Sequence, residues 1–253
     1  MISFIDQTTE IFRPADHDQL FHAIIAYIDG DRRHGLIGTW DVSQVTDMSN
    51  LFPMHFNEDI SEWDTSNVTN MERMFYNNRV FNQDISNWNT GKVTNMENMF
   101  AAAVDFNQPL NTHTVTLQDG TTYQAWDVSN VKSMAYMFKS VFLFNQDISN
   151  WDASNVTNMR EMFNSAESFN QPLITHTVTR EDGTSYQTWD VLNVEDMSDM
   201  FDGATAMLGN YPNLPLHGHP LPNEWSRYFP RKKPTKSATK LANRPDGPGK
   251  GGR

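Results

Sequence analysis

An α/β solenoid of six coils carrying two β-hairpin insertions is the fold class this sequence predicts, on three observations. Tryptophans recur at Trp40, Trp63, Trp88, Trp126, Trp151 and Trp189, at intervals of 23, 25, 38, 25 and 38 residues. Each opens a motif of the form W-D-x-S-x-V-T-x-M-x-x-M-F, present in six copies. The 253-residue chain is only 38% hydrophobic, which suits a thin core better than a spherical one. Units repeated at such a period bury their apolar face by stacking on the next copy, so short strands and short helices piled coil on coil are expected.

The elements follow in chain order. Residues 1–38 are expected to form a helical cap: the stretch from Asp16 to Tyr27 offers a capping Asp, and Leu20, Phe21, Ile24, Ile25 and Ile28 give it an apolar face. Residues 39–201 hold the six repeats. Within each, Val, Met, Met and Phe fall at 5, 8, 11 and 12 residues after Trp, which reads as one face of a short helix. Thr69 with Glu72, and Thr94 with Glu97, have the capping-box spacing and predict helix starts at about Asn70 and Asn95. Between the motifs lies a second block, F-N-Q-D-I-S or F-N-Q-P-L, at Phe81, Phe106, Phe144 and Phe169, with a variant at Phe56. Its segments Asp84-Ile85-Ser86 and Asp147-Ile148-Ser149 alternate with Ile inward and read as the strand of each coil.

Three registers recur. Met48, Met71, Met96, Met134, Met159 and Met197 are expected to fill the core. Asn82, Asn107, Asn145 and Asn170 are expected to form an amide ladder that satisfies turn carbonyls. Asp41, Asp64, Asp127, Asp152 and Asp190, interrupted by Asn89, are expected to cap turns, although such a row could also attract cations.

The two long intervals contain a duplicated insertion, near 111–123 and 174–186. Thr-His-Thr-Val-Thr precedes Asp-Gly-Thr and Tyr-Gln in both, and β-formers around Asp-Gly predict a hairpin. Two such hairpins would stand about 10 Å apart as a raised polar rib. His113, Asp119 and Tyr123 of the first, with His176, Asp182 and Tyr186 of the second, are the partner-binding candidates. A metal site between the two histidines is disfavoured, because no carboxylate has a fixed spacing to them. Residues 202–229 are expected to cap the far end, with Trp225, Tyr228 and Phe229 folding back.

Residues 230–253 form a Lys-, Pro- and Gly-rich tail. From Arg227 onward there are nine basic residues and one acid, whereas the preceding part carries ten basic and thirty acidic residues. An acidic body repels phosphate, so nucleic acid contact is expected only through the tail, at Arg231, Lys232, Lys233 and Lys236, a run that also resembles a nuclear import signal. With no cysteine, neither disulfides nor thiolate metal sites are expected. No transmembrane or signal segment is readable, so a location inside a cell or within a virion is expected over secretion.

The combined motif F-N-Q-D-I-S-x-W-D-x-S-x-V-T-x-M-x-x-M-F, over about Thr39 to Phe201, resembles the repeats of BspA-like leucine-rich-repeat surface proteins, a mycoplasma-type domain of about 25 residues. The resemblance implies a right-handed leucine-rich-repeat-type solenoid. It also implies binding or adhesion, with no catalytic residues, metal or cofactor. No Walker loop, G-x-S-x-G, H-E-x-x-H or EF-hand pattern is present, so an enzyme is not expected. The function expected is a non-catalytic scaffold for protein–protein interaction. The alternative is a structural component of a large assembly, such as a virion or organelle complex, anchored by the basic tail.

Overall fold

The computed structural model describes residues 10–208. The chain divides into two units, Met1–His219 and Pro220–Arg253, and the described residues belong to the first. The expected C-terminal cap beyond Leu208, and the basic tail, lie outside the described residues.

Helix α1, His17–Ile28, begins where Asp16 accepts a hydrogen bond from the Gln19 N–H at 3.0 Å. Leu20, Ala23, Ile24 and Tyr27 form its buried face, while Ile28 is exposed. His17 places Nε2 2.9 Å from the Ser49 carbonyl, and the Tyr27 ring meets Trp40 edge-on at 5.8 Å. The N-terminal helix is thereby tied to the first repeat.

Beyond α1 the expected solenoid of stacked strands and helices is not found. The described strands are β1 (His113–Thr116), β2 (Thr122–Ala125), β3 (Thr177–Thr179) and β4 (Ser185–Gln187), and they pair only as two antiparallel two-stranded sheets. Helix α2, Thr205–Leu208, is a single turn. Parallel pairing between repeats is confined to isolated bridges of one residue each, from Asp47 through Asn70, Asn95, Ser133 and Asn158 to Asp196. Among the described residues there is no parallel strand stack, and the regular β structure is a pair of small sheets.

Where the backbone donors go explains the difference. In the second repeat Met71, Arg73, Phe75 and Asn77 donate their N–H groups to the carbonyls of Asn95, Glu97, Met99 and Ala101 in the third, at 2.8–2.9 Å. The intervening Met74, Tyr76 and Asn78 donate three residues back, to Met71, Arg73 and Phe75. Half the donors therefore leave the segment, and the remainder close overlapping β-turns, so an α-helical ladder cannot form. The same pattern joins the third repeat to the fourth, with Met96, Asn98, Phe100 and Ala102 donating to Ser133, Ala135, Met137 and Lys139.

Left-handed backbone accompanies these turns, at Arg73 (φ 54°), Asn77 (57°), Asn98 (57°), Ala102 (61°), Tyr136 (61°), Ser140 (56°), Glu161 (50°) and Ser165 (58°). Thr69, expected to cap a helix, instead donates both N–H and Oγ1 to the Thr46 carbonyl of the previous repeat. The expected strands fail for a local reason. Asp84 and Asp147 accept from the N–H two residues on, and Trp88 and Trp151 then donate to Ile85 and Ile148, so each segment is a pair of turns.

The Met register is buried throughout, and Phe side chains carry the most continuous ring packing. Phe75, Phe100, Phe138, Phe163 and Phe201 stack at centroid spacings of 5.5, 5.7, 5.6 and 5.6 Å. Beside them Phe81, Phe106, Phe144 and Phe169 stack at 5.8, 6.1 and 5.8 Å. Ring pairs at these distances stabilise by about 0.5–1.5 kcal/mol beyond burial. Trp126, Trp151 and Trp189 stack at 6.4 and 6.1 Å. Each indole also donates to the preceding repeat: Trp63 to Ile37, Trp88 to Ile60, Trp126 to Ile85, Trp151 to Leu110 and Trp189 to Ile148. The tryptophans are polar staples as well as packing.

Candidate functional site

Both hairpins form at the predicted positions, and their strands run to Ala125 and Gln187. Their tips share one construction: Gly120 donates to Leu117 and Gly183 to Arg180, with φ at 84° and 82°, and Leu117 and Arg180 donate across to Thr121 and Thr184. A type I turn closed by a left-handed Gly sets this register, which is why Asp-Gly recurs. Asp119 and Asp182 each accept from the N–H and Oγ1 of the Thr two residues on, and these bonds hold both carboxyls below the usual range. They are turn formers.

The tyrosines fasten the hairpins. Tyr123 donates its hydroxyl to the Asn87 carbonyl and Tyr186 donates to that of Asn150, both at 2.6 Å. Burial raises both phenols, with the Asp64 and Glu62 carboxylates adding to it at Tyr123. His113 lies 3.0 Å from the Asn111 carbonyl and 3.2 Å from Asn87 Oδ1; His176 lies 2.9 Å from Thr188 Oγ1. Each histidine thus serves its own hairpin base. The two sheets do not pair with one another, so the hairpins are separate elements and no continuous strand pairing joins them into a rib. Among the described residues no group of three or more His, Asp or Glu side chains is placed to hold a metal. Arg231, Lys232, Lys233 and Lys236 lie outside the described residues.

Of two expected registers, the Asn ladder is seen with altered chemistry and the Asp row with the turn-capping role expected of it. The Asn ladder is at the surface: Asn57, Asn82, Asn107 and Asn145 accept through Oδ1 from the backbone N–H of Asn82, Asn107, Asn145 and Asn170, at 2.9–3.0 Å. The Asp row caps turns, as in Asp64 accepting from Ser66 and Asp127 from Ser129. A ladder that the motif concealed uses Asn67, Asn130, Asn155 and Asn193, whose Nδ2 groups donate to carbonyls of the preceding repeat. The recurrence of Asn four residues after Trp was its signal.

Beneath the first hairpin lies a cleft of about 400 Å³, whose walls include Glu62, Trp63, Asp64, Asn89, Leu117 and Tyr123. Asn87, whose carbonyl holds Tyr123, also lines it. Among the described residues no Lys, Arg or His lines it. A second cavity, of about 470 Å³, lies between α1 and the first repeat, and its lining cation Arg33 is paired with Asp31.

The second hairpin, 63 residues further on, has Arg180 where the first has Leu117. Arg180 reaches Asp152 at 3.8 Å and lies 4.4 Å from the Tyr186 ring centroid. Asp152 stands where the first copy has Asn89. Reading Leu117 against Arg180, and Asn89 against Asp152, in the aligned copies would have shown this paired difference.

Among the described residues no helix is long and apolar enough to cross a membrane. The family described as "Mycoplasma protein of unknown function, DUF285" matches twice, over residues 26–123 and 114–214. No curated protein and no solved structure matches the chain.

Proposed function

The chain belongs to the DUF285 family of Mycoplasma proteins of unknown function, and from that premise we propose that it is a non-catalytic scaffold for protein–protein interaction. The observation that carries this reading is the mounting of the hairpins. A phenolic hydroxyl, a threonine hydroxyl from Thr112 or Thr175, and a buried Trp fix each base to the repeats. Thr116 and Thr122, and likewise Thr179 and Ser185, face each other across the strands with their side chains exposed. A rigidly held exposed strand pair lowers the ordering cost of association. The BspA-like character of the repeat motif supports binding or adhesion over catalysis in the same reading.

The test compares full-length protein with a variant carrying Thr116→Lys, Thr122→Lys, Thr179→Lys and Ser185→Lys, used as bait in the native source. The wild-type protein is expected to retain a partner that the variant loses while its unfolding midpoint stays within a few degrees. The same captured proteins at the same yield from both baits would remove the hairpins from the binding surface.

A further inference from the structure

The duplicated hairpins provide an internal control, because the second places a cation, Arg180, against its tyrosine and, among the described residues, the cleft of the first has none. In the second copy the Arg180 guanidinium lies over the Tyr186 ring and beside Asp152, with Asp127 close enough to act on the same phenol. In the first copy Tyr123 is held by the same hydroxyl bond, to the carbonyl of Asn87, the counterpart of Asn150. Two carboxylates are present here too, Asp64 at the position of Asp127 and Glu62 in place of Ala125, with Asn89 where the second copy has Asp152, yet Leu117 replaces the arginine beside about 400 Å³ of space. Neither Glu62 nor Asp64 is ion-paired among the described residues.

We infer that the cleft beneath the first hairpin receives an arginine side chain from a partner protein, in the arrangement that Arg180 adopts within the chain beneath the second. The inference rests on the protein-binding reading above and deepens it by naming the group recognised. A planar guanidinium can stack on the Tyr123 ring while donating to Asp64 or Glu62, and Leu117 and Trp63 offer apolar cover for its methylenes. Lysine fits less well, because an ammonium is more strongly hydrated and offers no flat face to the ring. Partial enclosure raises the worth of the charge pair above that of an exposed one.

The probe is acetyl-Gly-Arg-Gly-amide, titrated into isotopically labelled full-length protein and followed by NMR. Saturable shifts are expected at the Trp63 indole N–H and at the amides of Leu117 and Tyr123, with the matched lysine peptide at least threefold weaker. Leu117→Arg should fill the cleft and weaken the peptide tenfold or more, with the Trp151 and Trp189 indole signals unmoved as a check on folding. Should that variant fail to fold, Glu62→Gln with Asp64→Asn supplies the same test, since the side-chain amide oxygen it introduces can still accept the Ser66 N–H. Shifts that are absent, or that survive both variants, overturn the assignment. Full-length protein carrying Arg231→Gln, Arg244→Gln and Arg253→Gln is expected to bind the peptide equally well; a tenfold gain would give the cleft to the chain's own tail and overturn the assignment to a partner. Because the probe needs no natural partner, loss of captured proteins and loss of arginine binding fail independently.

Discussion

The repeats and the hairpins use their backbone hydrogen bonds in opposite ways. In a hairpin every pairing is local: His113 faces Ala125 and Thr116 faces Thr122, across a tip closed by its own glycine. In a repeat, alternate N–H groups such as those of Met71, Arg73 and Phe75 go to residues more than twenty positions away. The strand pairing of a hairpin is thus complete within itself, with bonds at its base seating it on the repeats, whereas a repeat acquires half its hydrogen bonds only when its neighbour is in place. Stability in the array is shared between units, and that of a hairpin's own pairing is more local.

The largest effect that sharpens this contrast is expected from Phe138→Ala. Phe138 is fully buried and stacks with Phe100, Phe144 and Phe163, so its loss should cost about 3–5 kcal/mol in chemical denaturation and reduce protection across several repeats together. Protection lost in one repeat alone would break the picture of shared stability. Trp151→Phe keeps most of the ring but leaves the Leu110 carbonyl without its indole donor; about 1–3 kcal/mol is expected. Tyr123→Phe removes the hydroxyl bond to Asn87. It should cost about 1 kcal/mol, visible as faster amide exchange within β1 and β2 while the Phe-stacked repeats stay protected. Exchange that accelerated equally in both would show the hairpin to be integral to the array.

The smallest change has the most informative sign. Ala102 has a φ of 61°, where a Cβ is strained by about 1–2 kcal/mol. Ala102→Gly relieves that strain at an entropic cost of about 0.5–1 kcal/mol, so a slight stabilisation is expected in thermal unfolding. In a helix the same substitution would destabilise by about 1 kcal/mol. A loss of that size would restore the helical reading of the segment.

This sign also marks where sequence reading stopped. Val68, Met71, Met74 and Phe75 are all buried as expected, because overlapping turns step by three residues and so bury nearly the positions a short helix would. What separates the two is the alternating sign of φ, and Arg73, Tyr136 and Glu161 have no side-chain preference that announces it. The helix reading failed there for want of a local signal, since the deciding hydrogen bonds reach into another repeat. The hairpins were legible because their determinants, β-formers and an Asp-Gly tip, lie within a dozen residues. Tyr123 and Tyr186 were legible as candidates by their duplication, but their carbonyl partners at Asn87 and Asn150 lie 36 residues away, each just before the Trp of another repeat, and a backbone acceptor carries no side-chain signal. The cleft depends on a difference between copies, Leu117 against Arg180, and a search for similarity passes over such differences.

In each repeat the alternate N–H groups around the methionines go to the next repeat while the N–H at the Thr69 position goes back to the previous one, and this fixed polarity gives the array a head and a tail, as in a growing polymer. At the first repeat the Ser49 carbonyl is met by His17 of α1, in the place that a repeat takes at the interior junctions. Interior junctions reuse the same kinds of backbone donor and acceptor, so inserting a second copy of the 25-residue unit that runs from Trp126 to Asn150 is expected to repeat an existing junction. Length in such a molecule is set at its ends, and the spacing between the two hairpins can change in whole units while each keeps its own seat.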